Sequence, residues 1–595
     1  MGVLSKWRRY WLAMALLGLI GLIACKPLDL SVHAAPLNQL VATAASDPKT
    51  FNCALIQEFP NVAGFICEGL TFEDGQGEIQ PGLAEAWKLS TDQKHLTLTL
   101  RAGLKWSDGS PLTATDVLFT YRDVFFNPKI PTAYRDIFKI GSQGLLPELR
   151  QLDDRQIEFI LPEPFAPFLR NLAAPILPAH ALRDAVATSD STGKPAFFST
   201  WGTDTNPEQI VGNGPYRVLS YEPGQRLIFE RNPYYWRRDH QGRQQPYIER
   251  VVWQIIASAD TALMQFRAGG LDVINIGPAS FALLKREEKR GHFTIYNGGP
   301  EAGTTFLTFN LNQGWRQGKP LVDPVKSRWF NQKEFRQAVA YALDRQTMVN
   351  NILRGLGTTQ NSPISVQSPY HLTPEQGLKV YNYNPGQAKK LLLQAGFRYN
   401  SRNQLLDARG NPVRFTILTH TGSRTMEAIG AQIQRNLGAI GIQADFTPID
   451  FGTLIEKVTN TLDWECYIGG ITGGVEPNSG ANIWLPEGSF HLFNQQPQVG
   501  QAALRGREVA DWEVALGQLY EAGARELDEA KRKALYAETE RITQENLPFI
   551  YLINPLTLAA VRNQVRGVKI SSLNYESVLW NLFELQIEDS KDRNH

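Results

Sequence analysis

Long apolar runs are almost absent from this 595-residue chain. One uncharged stretch, Tyr10 to Ala24, is rich in Leu, Ile, Gly and Ala. Nothing after it approaches the roughly twenty residues that a bilayer-spanning helix needs. An excess of either charge is missing too. Lys and Arg number 60 against 59 Asp and Glu, a net charge of +1, so there is no general electrostatic case for nucleic acid. Cysteine is scarce, with Cys25, Cys53, Cys67 and Cys466 only. Enzyme signatures are missing: no G-x-S-x-G elbow, no H-E-x-x-H, no G-x-x-x-x-G-K-S/T. The nine histidines are so dispersed that no two lie within five residues, which leaves no local metal clip and no cofactor to expect. A distributed site from His371, His420 and His491 is the remaining way to build one, against three ordinary core or surface histidines.

What is present begins with the leader. Lys6, Arg8 and Arg9 make a basic start before the apolar run, which is the layout of a secretory signal over residues 1–24. At about fifteen residues the run is short for a permanent membrane helix. Leu22-Ile23-Ala24-Cys25 resembles a bacterial lipobox, in which Cys25 becomes the first mature residue and carries lipid. Several acyl chains hold far better than one, since each buried CH₂ contributes about 0.8 kcal/mol. Residues 25–45 then read as a lipid-anchored linker outside the membrane. An exported chain meets an oxidising compartment. There Cys53 and Cys67 either close a short loop or stay two buried thiols, and Cys466 is the odd one out.

Length suggests two to four domains at roughly 150 residues each. "HLTLTL" (His95–Leu100) alternates as a half-buried strand, followed by the Asp108-Gly109 turn. Thr113 or Thr115 caps a helix starting near Asp116. "QIEFIL" reads as a strand, and "RVLSYEPGQRLIFERN" as a hairpin about Pro223-Gly224. "EFRQAVAYALDRQTMVNNIL" carries apolar residues at helical spacing from Phe335 to Ile352. "GQAKKLLLQAGF" is a helix stopped by Gly396, "FTILTH" a strand, and "AIGAQIQRNLGAIG" a helix ending at Gly441 before the strand "IQADFTPID". Trp512 to Glu545 is helical, and "FIYLI" and "VRGVKI" close the chain. Strands and helices alternate throughout, so the class is α/β with mixed sheets.

Four segments, in order, resemble the family 5 extracellular solute-binding proteins, the oligopeptide-, dipeptide- and nickel-binding components of bacterial ABC importers. They are "LRAGLKWSDGSPLTATDVLFTY" (Leu100–Tyr121), "GNGPYRVLSYEPGQRLIFERNPYYW" (Gly212–Trp236), "FRQAVAYALDRQTMV" (Phe335–Val349) and "YNYNPGQAKKLLLQAGF" (Tyr381–Phe397). Weaker echoes lie at Glu68–Leu70, Pro81–Trp87 and Gly270–Ile276. Read residue by residue, most of these motifs are structural: Trp106 and Tyr121 pack a strand–turn–helix unit, Gly214-Pro215 sets a bend, and Arg336 and Asp344 pair or cap around their helix.

The resemblance implies a two-lobed periplasmic-binding-protein fold with a hinge and a small extra domain. Lobe I would comprise residues 46–74, 179–302 and 548–585, the extra domain 75–178, and lobe II 303–547. Family members that take peptides hold the α-amine with an acidic residue in a Trp-x-Ala-Asp-Tyr-x-Asp-Pro-like segment. Here that segment is "GGITGGVEPNSG" (Gly469–Gly480), which puts Gly473 at the acidic position and Gly470 at the tryptophan. Gly470, Ile471, Thr472, Gly473 and Glu476 are therefore candidates to border the ligand, the glycines either letting the backbone approach it closely or simply forming a loop. Trp484 either stacks on ligand or fills core. From the facing lobe, "LIQEFPN" offers Gln57, Glu58 and Asn61, each against the alternative of an exposed helix start.

The expectation is a non-enzymatic, monomeric substrate-binding lipoprotein of an ABC importer. It captures a peptide or a polar solute of similar size and delivers it to a permease whose partner subunits hydrolyse ATP. Sugar oligomers come next as ligands, and nickel is disfavoured by the scattered histidines. The alternatives are an extracytoplasmic hydrolase using Glu58 and Glu476 as a carboxylate pair, and a ligand sensor for a membrane receptor.

Overall fold

In the computed structural model, residues 38–588 are described except 57–59, 131, 190–193, 498–500 and 574–576. Period-2 burial builds the first sheet, in the order Gln39–Ala44, Arg250–Ile255, Arg226–Arg231, Tyr216–Glu222. The first pair is parallel and the others antiparallel. Its inward residues include Leu40, Phe229 and Trp253, and Phe65 from a short preceding helix lies 4.7 Å from the rings of both Phe229 and Trp253. Cys53 and Cys67 are joined in a disulfide beside this helix, and Cys466 is a buried free thiol.

A second four-stranded sheet, Ala84–Leu89, His95–Leu100, Gln156–Ile160, Glu148–Gln151, shares the same core. The predicted strand His95–Leu100 buries Leu96, Leu98 and Leu100. Thr113 caps the following helix in a reciprocal box with Asp116. That helix widens into a π-type stretch over Phe119–Phe125, and buried Tyr121 meets Phe125, Phe138 and Phe159 edge-on at 5.0–5.5 Å.

The third sheet has its own core. Its strands run Gln443–Ile449, Arg414–His420, Cys466–Ile471, Thr304–Phe309, Phe549–Tyr551. The helix predicted across 335–352 is two helices, Lys333–Ala342 and Arg345–Asn351. Asp344 sits between them and caps the second by accepting from the Thr347 amide at 2.9 Å. Arg336 does not pair with it. Arg336 is buried and donates to the carbonyls of Asn546 and Phe330 at 2.8 and 2.6 Å. The helical stretch 512–545 likewise divides, into Asp511–Arg525 and Glu529–Asn546. The closing "VRGVKI" contributes only the two-residue strand Val565–Arg566.

The fourth sheet joins the lobes. The long strand Ile553–Arg562 lies between Val273–Asn275 and Phe293–Pro300, and Gly357–Thr359 pairs with its beginning. The chain passes from Phe293–Pro300 into Thr304–Phe309, and returns from Phe549–Tyr551 into Ile553–Arg562. The two passages run side by side. The Leu552 amide donates to the Thr305 carbonyl at 2.9 Å, and the Asn554 side-chain amide bridges to the carbonyls of Glu301 and Gly303 at 2.9 and 2.6 Å. This is the two-lobed α/β architecture with mixed sheets that the sequence leads one to expect. Among the described residues no helix is long and apolar enough to cross a membrane.

Candidate functional site

The strand Cys466–Ile471 ends against the passage between the lobes. A Cβ at Gly473 would collide with the Ala302 carbonyl oxygen, so only glycine lets the loop lie this close. The chain then turns through Pro477–Gly480 into the short helix Ala481–Trp484. The turn is capped by Glu476, whose carboxylate accepts from the Asn478 amide at 2.9 Å.

Beneath this loop is a cavity of about 490 Å³, within the range of small-ligand sites. Thr304 and Phe306 line it from the passage strand, Ile364 and Ser365 from one wall, and Phe490, Tyr520 and Tyr551 from elsewhere in the second lobe. Ile471, Thr472, Gly473, Glu476 and Trp484 are brought together on its lining. Trp484 is also core: it is 4% exposed, stacked on Tyr520 at 5.9 Å and edge-on to Phe549 at 5.7 Å. Gly470 is not on the lining; it pairs with Thr305 inside the sheet. Asn61 is not on it either and accepts from the Ala63 amide at 2.8 Å. Gln57, Glu58 and Cys25 lie outside the described residues.

Glu476 is not a free carboxylate. Its Oε1 accepts from Arg532 Nη2 at 2.5 Å, with side-chain exposures of 4% and 6%. Arg532 also donates to the Gly523 carbonyl at 2.8 Å and the Tyr370 hydroxyl at 2.7 Å, and lies over the rings of Tyr370 and Tyr536. Burial opposes the Arg532 charge, but the Glu476 carboxylate outweighs it and holds the guanidinium above its ordinary pKa.

The wall 362–372 is fastened at both ends by one buried acid. Glu540 Oε2 accepts from the Ser362 hydroxyl, and Oε1 accepts from the Leu372 amide at 2.8 Å. Burial raises the Glu540 carboxyl to about 8 against those hydrogen bonds. His371, 3.6 Å away, is lowered by its own burial and so faces the acid neutral.

Sequence reading passed over Arg532 and Glu540. Their signal was present: Arg532, Tyr536, Thr539, Glu540 and Thr543 recur at helical spacing, all buried, a polar stripe on a core face. The three histidines go separate ways. His371 contacts the Ile364 carbonyl, His491 bridges the Ile483 carbonyl and the Glu513 carboxylate, and His420 packs on Phe451. Among the described residues no three His, Cys, Asp or Glu are grouped to hold a metal.

Residues of the 75–178 segment touch the second lobe beside the site. Gly77, in the turn of the hairpin Thr71–Glu73 and Ile79–Pro81, packs on Val475. Arg525 pairs with Glu163 at 2.8 Å, and the Ala166 amide donates to the Ala524 carbonyl at 2.7 Å.

A probable ABC transporter-binding protein of Deinococcus radiodurans is 28% identical to this chain over 555 residues, covering 89% of each. The oligopeptide-binding protein AppA of Bacillus subtilis is 25% identical over 431 residues, 72% of each. The structure of that AppA with a nonapeptide aligns at TM-score 0.69 and 21% identity, covering 93% of this chain and 99% of the other. MelB of Agrobacterium fabrum with stachyose aligns at TM-score 0.73 and 20% identity, covering 93% and 85%. The model of the bacterial extracellular solute-binding proteins, family 5, matches residues 78–489, more than half of the sequence, and the chain belongs to that family.

Proposed function

We propose that this protein is the lipid-anchored capture subunit of an ABC importer, holding a peptide or a solute of similar size in the cavity under Gly473 and presenting it to a membrane permease. The observation that carries the reading is the position of the cavity. Its loop abuts Ala302 and its wall includes Thr304, so a guest there touches the strands that join the lobes. A guest that prefers the closed arrangement can therefore bias the join, by no more than its differential affinity for the two states. Relatives named as oligopeptide- and dipeptide-binding proteins support a peptide-sized guest. The lipobox-like Leu22–Cys25 supports attachment at the outer face of the membrane. Residues 46–74, 179–302 and 548–585 form lobe I in this reading, 75–178 the extra domain and 303–547 lobe II.

The family is one of solute binders, and the protein is not an enzyme. The hydrolase alternative also loses its acid–base pair, because Glu476 is neutralised by Arg532. The test is native mass spectrometry of protein purified gently from its own host. A retained non-covalent mass is expected, and adding that compound back raises Tm, as binding to the folded state requires. A protein that carries nothing, and whose Tm responds to no peptide or oligosaccharide, overturns the reading. Micromolar to nanomolar capture corresponds to about −8 to −12 kcal/mol.

A further inference from the structure

We infer that the cavity under Gly473 selects an electroneutral guest, one whose polar groups are hydroxyls or amides and whose charged ends, if it has them, lie elsewhere. The inference rests on the capture reading above and names the class of ligand.

The argument is one of charge already matched. Among the described lining residues Glu476 is the one carboxylate, and none is a lysine or arginine. Its charge is met in place by Arg532 and by the Asn478 amide. A guest ammonium would have to draw the carboxylate from a guanidinium that is itself bonded to Gly523 and Tyr370 and covered by two phenol rings. A guest carboxylate would have to reach Arg532, whose side chain is 6% exposed and already engaged. Burying either ion without a partner costs several kcal/mol. No new charge is available at the apex of the loop, because Gly473 has no room for a side chain against Ala302. Tyr520 and Tyr551 stay un-ionised, their hydroxyls raised well above the usual range by burial.

What remains to meet a guest is neutral. Thr304, Ser365, Thr472, Ser479 and Asn482 supply hydroxyls and an amide, set among apolar walls. Such a lining suits the interior of a peptide, an end-blocked peptide or a neutral oligosaccharide.

The test is equilibrium dialysis of the purified full-length protein at neutral pH with three equimolar pools, read by mass spectrometry. They are tripeptides with free ends, the same tripeptides N-acetylated and C-amidated, and neutral trisaccharides. The blocked peptides or the trisaccharides are expected to be retained at least tenfold over the free-ended pool. Equal retention, or preference for free ends, overturns the inference and leaves the capture reading standing. Retention of no pool overturns the capture reading and this inference with it. Arg532→Gln leaves Glu476 unmatched, so its retention of a fourth pool, tripeptides with a free amine and an amidated carboxyl, should exceed that of wild type at least tenfold. Arg532→Lys should keep the neutral preference. A folded Arg532→Gln protein with unchanged selection also overturns the inference, and if that variant does not fold, the wild-type selection decides alone.

Discussion

Two cavities of this molecule invite comparison. The cavity under Gly473 measures about 490 Å³, and one in the first lobe about 980 Å³. The larger is the more conspicuous by chemistry, lined by Arg101, Arg237, Arg238, Trp236, Phe583 and others. Its charges are nonetheless spent on the fold. The Arg237 guanidinium lies 4.2, 4.6 and 4.3 Å from the rings of Phe72, Trp236 and Phe583, and Arg101 lies 4.0 Å from Trp236. Trp236 and Tyr235 both donate to Glu68, at 2.7 and 2.5 Å. Arg243 pairs with Asp239, and Lys569 with Glu584. The motif "NPYYW" thus clamps three stretches of one lobe. The smaller cavity has one lining carboxylate, Glu476, already met by Arg532, and otherwise presents neutral groups to the space, at the strands that join the lobes. Volume and residue types alone favour the larger cavity; the capture reading proposed above favours the smaller, on its position at the passage between the lobes.

The comparison can be broken at four places. Glu476→Ala should be the most damaging, because it leaves Arg532 buried without its partner. A loss of about 3–5 kcal/mol is expected, read as a lower urea midpoint, with loss of any bound guest. Glu540→Gln tests the wall of the same cavity through pH. The folded-state pKa of Glu540 is raised, so its contribution is complete below the unfolded carboxylate value and is lost as pH rises through about 8. Wild type should lose about 3 kcal/mol between about pH 5 and 8 that the variant does not lose. Superimposable pH profiles would contradict the assignment of that acid. Arg237→Ala, in the larger cavity, should cost about 1–3 kcal/mol of stability through its lost ring contacts while guest retention stays at the wild-type level. A changed guest profile would mean that the larger cavity also binds. Arg525→Ala removes a partly exposed pair with Glu163 and should shift stability by no more than about 1 kcal/mol. Its measurable effect is salt-sensitive loosening between the second lobe and the 75–178 segment, seen by small-angle scattering.

Much of the fold was legible because local signals agreed with the global answer. Leu96, Leu98 and Leu100 alternate, Thr113 and Asp116 form a capping box, and Gly224 and Gly396 take the positive φ that a turn and a helix stop require. The break between Ala342 and Arg345 was missed because apolar periodicity runs straight across it, although Asp344 three residues before Thr347 is a capping signal. At the site, the glycine-rich loop was legible as a place of close approach. That the approach is to Ala302, rather than to a ligand alone, is a tertiary fact. Arg532 was legible as part of a polar stripe on its helix, but its partner was not: it stands 56 residues from Glu476, and nothing local marks the pair.

The passage between the lobes has a consequence for truncation. One ribbon near the end of the chain completes both lobes: Phe549–Tyr551 is the edge strand of the second lobe's sheet, and Ile553–Arg562 lies at the centre of the sheet that joins Val273–Asn275 to Phe293–Pro300. Without that ribbon one sheet lacks its edge and the other its central strand. A single cut before Phe549 would therefore take an edge from one sheet and the centre from another, so the two lobes share one point of structural failure.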